Sequence, residues 1–229
     1  MAELSRVIYL GMITTDVYGH RIGERVFSGA AARKMLTIAQ AMRGANRRAV
    51  IVSLPFIGGS GKRIFYRAVV NSERGVPGVF LPTVRSKHLR KILGPLILGA
   101  FACRRVSTSD TVILYNHAVE YLLALLILRL RGVKVIHDIE DAPTTDERGV
   151  RGFLSRLSFA TTLKLTSDRK MVVAEHVARE LGLKDYVVIR GVASPRHTSG
   201  GSRPMKWKDL HRGGELRLHF GGTLGPDTG

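Results

Sequence analysis

One stretch near the middle of the chain, TVILYNHAVEYLLALLILRLRGVKVIHDIEDAP (Thr111–Pro143), most constrains the fold. Its pattern predicts a buried strand at Thr111–Tyr115, an apolar helix at about Ala118–Arg131 and a second strand at Val133–His137. Gly132 fits the end of the helix, where a glycine commonly adopts the left-handed conformation. Because two β-branched strands joined by a helix form a βαβ unit, we expect a parallel sheet.

Polar residues follow both strands of this unit, at Asn116-His117 and at Asp138–Asp141. In open α/β sheets, ligands bind at the carboxyl ends of the strands. The sequence therefore predicts a functional site at this edge of the sheet.

The first fifty residues show the same alternation. We predict a strand at Arg6–Ile13, a polar loop at Thr14–Val26, a helix that ends at Gly44 and a strand at Ala49–Ser53. This order predicts an α/β protein with a Rossmann-like, doubly wound parallel sheet. No G-x-G-x-x-G follows the first strand, which argues against a nicotinamide or flavin cofactor.

The predicted helix that ends at Gly44 begins at Ser28 and Gly29, and Ser28 is a suitable N-cap. The backbone N–H groups of Ser28–Ala30 favour an anion site at the start of this helix. The alternative is that Gly29 and the alanines after it serve close packing of the helix on the sheet.

The rest of the chain contains further strands and helices. The glycine-rich Gly58–Lys62 predicts a flexible turn, because Phe56 and Arg63 stand where a phosphate loop needs glycine and a hydroxyl residue. Later elements are predicted at Arg63–Val70, Val76–Thr83, Gly149–Thr166, Lys170–Ala174, Glu175–Leu181, Tyr186–Ile189 and Leu216–Phe220. From residue 193 to 214 the sequence becomes rich in Pro, Gly, Ser and basic residues, which is typical of a linker. We therefore predict a domain at 1–192, a linker at 193–214 and the start of a second domain at 215–229.

The chain is strongly basic. It has 36 Lys and Arg residues against 18 acidic ones, a net charge of +18. Such a charge favours an anionic partner, either nucleic acid, a phosphorylated substrate or an anionic membrane, although a basic surface without a special role is the alternative. Aromatic residues make up 7%, too few to favour stacking on single-stranded nucleic acid.

Cys103 is the sole cysteine and lies in an apolar run. It excludes a disulfide framework and a thiolate metal site within the chain, and we expect a buried, inert thiol. The first residues do not form a secretory signal, so we expect a cytoplasmic protein.

Ser86–Arg105 combines an apolar core at Ile92–Cys103 with basic ends. Twelve helical residues span about 18 Å, short of the ~30 Å hydrocarbon layer, so we do not expect a membrane span. Gly94-Pro95 predicts a kink or restart. The helix belongs either to the core or to the interface of an anionic membrane, with headgroup contacts from Lys87, Arg90, Lys91, Arg104 and Arg105.

Several segments occur in an order that resembles the N-terminal half of group 1 (family 4) glycosyltransferases of the GT-B fold. They are SGAAARKMLTIAQAM, YNHAVEYLLALLILRLRGVKVIHDIED, MVVAEHVARELGLKDYVVIRGV and LRLHFGGTLGPDTG. The last of these resembles the first strand and Gly loop of the donor-binding domain. The resemblance covers essentially the whole chain and implies one half of a GT-B architecture.

The resemblance implies hexosyl transfer from a nucleotide-sugar to an acceptor hydroxyl of a glycan or lipid-linked acceptor, assisted by a base. His117 best matches the base, with Asp138 and Glu140 as alternatives or partners. The implied acceptor-binding residues are Asp16, Ser28 and Gly29, and the implied donor-binding residues are Gly221, Gly222 and Thr223. His117 and the Asp138–Asp141 cluster also fit simple roles in backbone hydrogen bonding and capping.

The family requires no metal or other cofactor. A metal site formed by His137, Asp138 and Glu140 is disfavoured, because successive side chains of a strand point to opposite faces of the sheet. The family's main donor-binding residues belong to a second domain, so we expect a truncated chain that is inactive alone. It would act in polysaccharide or glycolipid synthesis at the inner membrane face, and no nucleic acid is expected. The alternative is a non-catalytic basic module that binds an anionic membrane or nucleic acid.

Overall fold

The computed structural model describes residues 5–24, 29–58, 62–143, 149–167 and 169–189. All of them belong to the first of the two units into which the chain divides, Met1–Ala193. The predicted linker, the predicted strand at Leu216–Phe220 and the boundaries of the three predicted parts lie outside the described residues and stay predictions.

The described residues form ten strands and six α-helices. The strands are β1 (Arg6–Gly11), β2 (Arg48–Ser53), β3 (Phe65–Tyr66), β4 (Val69–Glu73), β5 (Val76–Phe80), β6 (Thr83–Val84), β7 (Thr111–Tyr115), β8 (Lys134–Ile139), β9 (Lys170–Val172) and β10 (Tyr186–Val188). The helices are α1 (Asp16–Ile22), α2 (Gly29–Gly44), α3 (Lys87–Arg105), α4 (Leu122–Leu130), α5 (Gly149–Leu165) and α6 (Glu175–Glu180), with a short 3-10 helix at Val119–Tyr121.

Eight strands form one sheet in the order β10-β9-β8-β7-β1-β2-β5-β4. All neighbours in this sheet pair in parallel except β4, which runs antiparallel to β5 at the edge. The strands β3 and β6 form a separate antiparallel pair. This topology confirms the predicted α/β class and the Rossmann-like, doubly wound parallel sheet.

Helices cover both faces of the sheet, as buried parallel strands require. On one face, Met35 and Ala39 of α2 pack with Tyr9, Ile51 and Ile113. On the other face, the core contains Leu98 of α3, Leu125 of α4 and strand residues including Ile8, Val112 and Val135. The α5 residue Phe159 packs with Ile139 beyond them.

The central βαβ unit has the predicted order with shifted boundaries. The strand at Thr111–Tyr115 is confirmed, and Gly132 has the expected left-handed backbone, with φ of 71°. The helical part begins with the 3-10 turn before α4. β8 continues to Ile139, so Asp138 is a strand residue and does not lie in a loop after the strand.

The predicted loop at Thr14–Val26 is wrong in its first half, where α1 forms. Thr15 caps this helix by accepting a hydrogen bond from the backbone N–H of Tyr18. Gly23 ends it with φ of 72°. The glycine and polar residues within the segment hid its helical periodicity.

Two expectations for α3 are corrected. Gly94-Pro95 does not divide the helix, so the predicted restart is wrong, whereas the alternative of a kink stays a prediction. Lys91, whose carbonyl loses its usual N–H partner at Pro95, is exposed to water. Cys103 is exposed rather than buried, because the preceding Ala102 occupies the stripe that packs on the core. No helix of the described residues is long and apolar enough to cross a membrane.

Candidate functional site

The strand order reverses direction between β1 and β7. From β1 the chain first adds β2 and β5 on one side, and later β7, β8, β9 and β10 on the other. Loops that leave the carboxyl ends of β1 and β7 therefore diverge, which opens the crevice where doubly wound sheets bind ligands. Asn116 and His117 follow β7 at this edge, and Glu140 follows β8.

Asp138 lies at the centre of a buried polar cluster on the α2 face of the sheet. Lys34 of α2 places its Nζ 3.0 Å from Asp138 Oδ1, and the Tyr9 hydroxyl donates a short hydrogen bond to Oδ2. Asp138 is fully buried. Burial, and then the charge of Asp138, raises the pKa of Tyr9 far above its ordinary value, so Tyr9 stays a donor.

Glu140 forms the accessible end of the same cluster. The Tyr115 hydroxyl donates a short hydrogen bond to Glu140 Oε2, and Lys34 Nζ lies 4.0 Å from that oxygen. The Glu140 side chain keeps 31% of its exposure. Burial raises the pKa of Glu140, and the neighbouring charge of Asp141 raises it too, while Lys34 opposes this shift. A partly exposed carboxyl with a raised pKa is suited to proton transfer.

Asn116 ties the ends of β7 and β8 together. Its backbone adopts a left-handed conformation, with φ of 53°. Its side-chain Oδ1 accepts from the N–H groups of Glu140 (2.8 Å) and Asp141 (3.0 Å), and its Nδ2 donates to Asp141 Oδ2 at 3.1 Å. This tight turn fixes where Glu140 leaves the strand.

His117 lies on the opposite side of the sheet from Asp138. Its Nε2 is 3.4 Å from Ser155 Oγ of α5, and its ring meets Phe159 edge-on at 5.0 Å. The neighbouring His137 also packs against Phe159. His137 and Asp138 are consecutive strand residues and so point to opposite faces. The structure therefore separates His117 from Asp138, although both were predicted for one site.

His137 is a buried, neutral imidazole. Its Nε2 donates to the carbonyl oxygen of Asn116 at 3.0 Å. Burial lowers the pKa of His137 to about 3, and the charges of Lys170 and His117 lower it further, while the hydrogen bond to Asn116 opposes them. No group of three potential ligands that could hold a metal ion occurs among the described residues.

The predicted binding residues have different outcomes. Asp16 begins α1 and is exposed, and Gly29 begins α2. Both helices follow the carboxyl end of β1 in the chain. Ser28 and the predicted donor residues Gly221, Gly222 and Thr223 lie outside the described residues.

The predicted membrane contacts divide into two groups. Lys87, Lys91, Arg104 and Arg105 are exposed. The prediction that Arg90 contacts the membrane is corrected, because this side chain is only 4% exposed. Its Nε lies 3.6 Å from Glu120 Oε1, and its guanidinium lies 4.4 Å from the Phe56 ring centroid. Because α3 has 3.6 residues per turn, Arg90 shares the buried stripe of Gly94, Leu98 and Ala102.

Sequence reasoning missed three residues of the polar cluster: Tyr9, Lys34 and Tyr115. Lys34 carried a signal, because it interrupts the apolar stripe of α2 between Ala32 and Met35. A charged residue on a buried helix face needs a partner. The tyrosines resembled ordinary strand residues.

Comparisons with known proteins found a distant structural likeness. No family model matches the chain, and no curated protein sequence matches it. The fold is similar to a solved structure described as "Trehalose-6-phosphate from E. coli bound with UDP-2-fluoro glucose", with a TM-score of 0.45 and 10% identity over 75% of this chain. It is also similar to an apo structure of OtsA, with a TM-score of 0.42 and 12% identity over 75% of this chain. The chain spans 40% and 41% of the lengths of these two proteins.

Proposed function

We propose that this chain forms the acceptor-side domain of a GT-B glycosyltransferase, which transfers a hexose from a nucleotide-sugar to a hydroxyl of a glycan or lipid acceptor. The observation that carries the proposal is the position of two ionisable side chains, His117 and Glu140, just after the ends of the adjacent strands β7 and β8 and beside the reversal of strand order. The order of the sequence segments that resemble this family supports it independently.

In the proposed reaction the acceptor oxygen attacks the anomeric carbon of the donor. The bond between that carbon and the nucleoside diphosphate breaks, and the acceptor proton passes to His117. Ser155, 3.4 Å from His117 Nε2, orients the ring. No metal takes part in this step.

Asp138 supports the site without touching the substrate. Both of its carboxylate oxygens are engaged by Lys34 and Tyr9, and the side chain is fully buried. We propose that Asp138 holds Lys34 in place. Lys34 Nζ in turn lies 4.0 Å from Glu140 Oε2 and contributes positive charge near that carboxyl.

The exposed side of α3 is the proposed contact with an anionic membrane. Lys87 and Lys91 lie beside Leu89, Ile92 and Leu96, which are 39%, 65% and 58% exposed. Apolar side chains flanked by lysines suit the boundary between headgroups and acyl chains. We propose that this surface brings the site to a membrane-bound acceptor in polysaccharide or glycolipid synthesis.

Nucleotide release from a panel of nucleotide-sugars tests the proposal. The protein is incubated with each donor and a lipid or glycan extract as acceptor. We expect His117→Asn to lower the transfer rate by about 10²- to 10⁴-fold, the usual contribution of a positioned base. Glu140→Gln should lower it less and alter the pH profile. The exposed His176→Asn and Glu180→Gln are matched controls and should leave the rate unchanged.

Two results would contradict the proposal. One is full transfer activity in the His117→Asn variant. The other is the absence of any effect of nucleotide-sugars on activity or thermal stability, together with tight binding of nucleic acid that weakens steeply with salt. The second result would favour a non-catalytic basic module.

A further inference from the structure

A polar cavity lies away from His117, between α1 and the β3–β4 segment. Its volume is about 450 Å³. Three arginines, Arg21, Arg63 and Arg67, line it together with Ile22, Phe65, Tyr66 and Val69. Guanidinium groups are permanently charged and carry five N–H donors in a fork. The cavity therefore concentrates positive charge and hydrogen-bond donors in one place.

Two of these arginines are held in position by their surroundings. Arg21 donates from Nη1 to the carbonyl oxygen of Val70 at 3.1 Å. The backbone carbonyl of Arg63 accepts from Arg85 Nε at 2.9 Å, and its guanidinium lies 5.7 Å from the centroid of the buried Tyr66 ring. Because the hydrogen bond of Arg21 and the ring contact of the Arg63 guanidinium restrict these two side chains, a ligand would cost less conformational entropy to bind than at unrestrained arginines.

Glu24, an acidic residue that contacts Tyr66 of the cavity, is already engaged. Glu24 accepts a hydrogen bond from the Tyr66 hydroxyl at 2.6 Å and forms a close ion pair with Arg85. Among the ion pairs of the described residues, none includes Arg21, Arg63 or Arg67. The positive charge of the cavity is thus available for a ligand.

Phe65 adds an apolar surface beside the arginines. Its ring is 53% exposed although it belongs to a strand, and it lines the same cavity. An exposed aromatic face next to guanidinium groups matches a ligand that combines an anionic group with an apolar or sugar ring face.

We propose that this cavity binds a phosphoryl group. Phosphate presents several oxygens to a guanidinium fork, and arginine is the preferred side chain for such bidentate recognition. The shared chemistry is a phosphate monoester or diphosphate, whether it belongs to a sugar, to a lipid or to free phosphate.

The cavity is distinct from the candidate catalytic site but lies at the same edge of the sheet. Val69 pairs with Phe80, the last residue of β5, which marks the carboxyl edge. Three strands separate β4 from β7, so at about 4.8 Å per strand the two places are about 19 Å apart. On the proposed transferase function, the ligand would be an extended phosphorylated acceptor. This identity of the ligand rests on the proposed function, whereas phosphate binding itself does not.

Titration calorimetry on the full chain tests the proposal with inorganic phosphate, pyrophosphate, glucose 6-phosphate and, as the uncharged probe, glucose. We expect the three phosphates to bind and glucose not to bind. Arg63→Gln and Arg67→Gln should each weaken phosphate binding about 10-fold or more, as the loss of a charge-assisted hydrogen bond implies. The exposed Arg43→Gln and Arg129→Gln remove the same charge elsewhere and should have no effect.

The outcomes are separable from those of the transfer assay. Tighter binding of glucose 6-phosphate than of inorganic phosphate supports a sugar phosphate, and equal binding supports free phosphate. Competition by vesicles of phosphatidic acid in phosphatidylcholine supports a lipid phosphate. An equal loss of phosphate affinity in the cavity variants and in the control variants would show a general charge effect and overturn the proposal. So would unchanged phosphate binding in Arg63→Gln and Arg67→Gln variants whose circular dichroism shows a native fold.

Discussion

Lys34 is a charged side chain buried beneath the sheet, and its loss would leave Asp138 without a cation. We expect Lys34→Met to lower the free energy of unfolding by about 3–5 kcal/mol, the range seen when one partner of a buried ion pair is removed. Urea denaturation at neutral pH measures this loss.

The double variant Lys34→Met with Asp138→Asn is the matched control. It removes the uncompensated charge and keeps an acceptor for the Tyr9 hydroxyl. It should be more stable than Lys34→Met alone. Equal stability of the single and double variants would contradict a buried charge pair.

His137 should make stability depend on pH. Its pKa is about 3 in the folded chain against 6.5 ordinarily, so below pH 6.5 the unfolded chain takes up a proton that the folded chain does not. This contribution is complete above pH 6.5 and is lost as pH falls toward 3. At pH 5 the loss is about 2 kcal/mol, from 1.36 kcal/mol per pH unit.

The comparison that isolates this effect uses His137→Gln, which keeps a donor for the Asn116 carbonyl. Between pH 7 and pH 5, the urea midpoint of unfolding should fall less for this variant than for the wild type. The exposed His176→Gln should behave like the wild type. An identical pH dependence of His137→Gln and wild type would show that folding does not lower the pKa of His137 and would contradict this prediction.

At the scale of elements, α3 packs through a glycine. A Cβ at Gly94 would lie 2.9 Å from Leu54 Cδ2 and 2.9 Å from Glu120 Cγ, closer than side chains approach. We expect Gly94→Ala to destabilise the fold by about 1–3 kcal/mol through overpacking. Gly44→Ala, with no atom within 4 Å of the added Cβ, is the control for helix propensity and should not destabilise. Thermal unfolding distinguishes the two, and equal melting temperatures would contradict the close approach.

The outer side of α3 has its own prediction. Each basic residue near an anionic surface contributes about 1 kcal/mol, so Lys87→Gln with Lys91→Gln should weaken vesicle binding about 30-fold. Co-sedimentation with phosphatidylglycerol vesicles measures the change. Lys134→Gln with Lys184→Gln removes two exposed charges elsewhere and should have little effect. Equal binding by both double variants would remove α3 from the membrane contact.

For the whole molecule, apolar runs were sufficient to predict the sheet. β1, β2 and β7 are continuous apolar strands buried on both faces, and α2 has a clear apolar stripe, so local pattern and tertiary position agree. The antiparallel pairing of β4 with β5 follows from the turn at Arg74-Gly75, both with positive φ. The short helix α1 was missed, since its seven residues are too few to show a period.

The candidate site was predicted less completely than the fold. The positions of Asn116, His117 and Glu140 followed from strand ends. The partners of Asp138 did not, because Tyr9 and Lys34 are each more than a hundred residues away in the sequence. Side chains alternate between the two faces of the sheet only within a strand, so the assignment of a face depends on where the strand ends. Because β8 extends two residues further than predicted, Asp138 lies within the strand and points to the face opposite that of His137.

The alternation of His137 and Asp138 along β8 has a practical consequence for engineering. The strand acts as a partition: one residue supports the wall built from α5, and the next supports the wall built from α2. Substitutions that repack the side chains around Phe159 therefore need no compensating change around Lys34. A designer could vary the two walls in separate libraries and combine the best members of each.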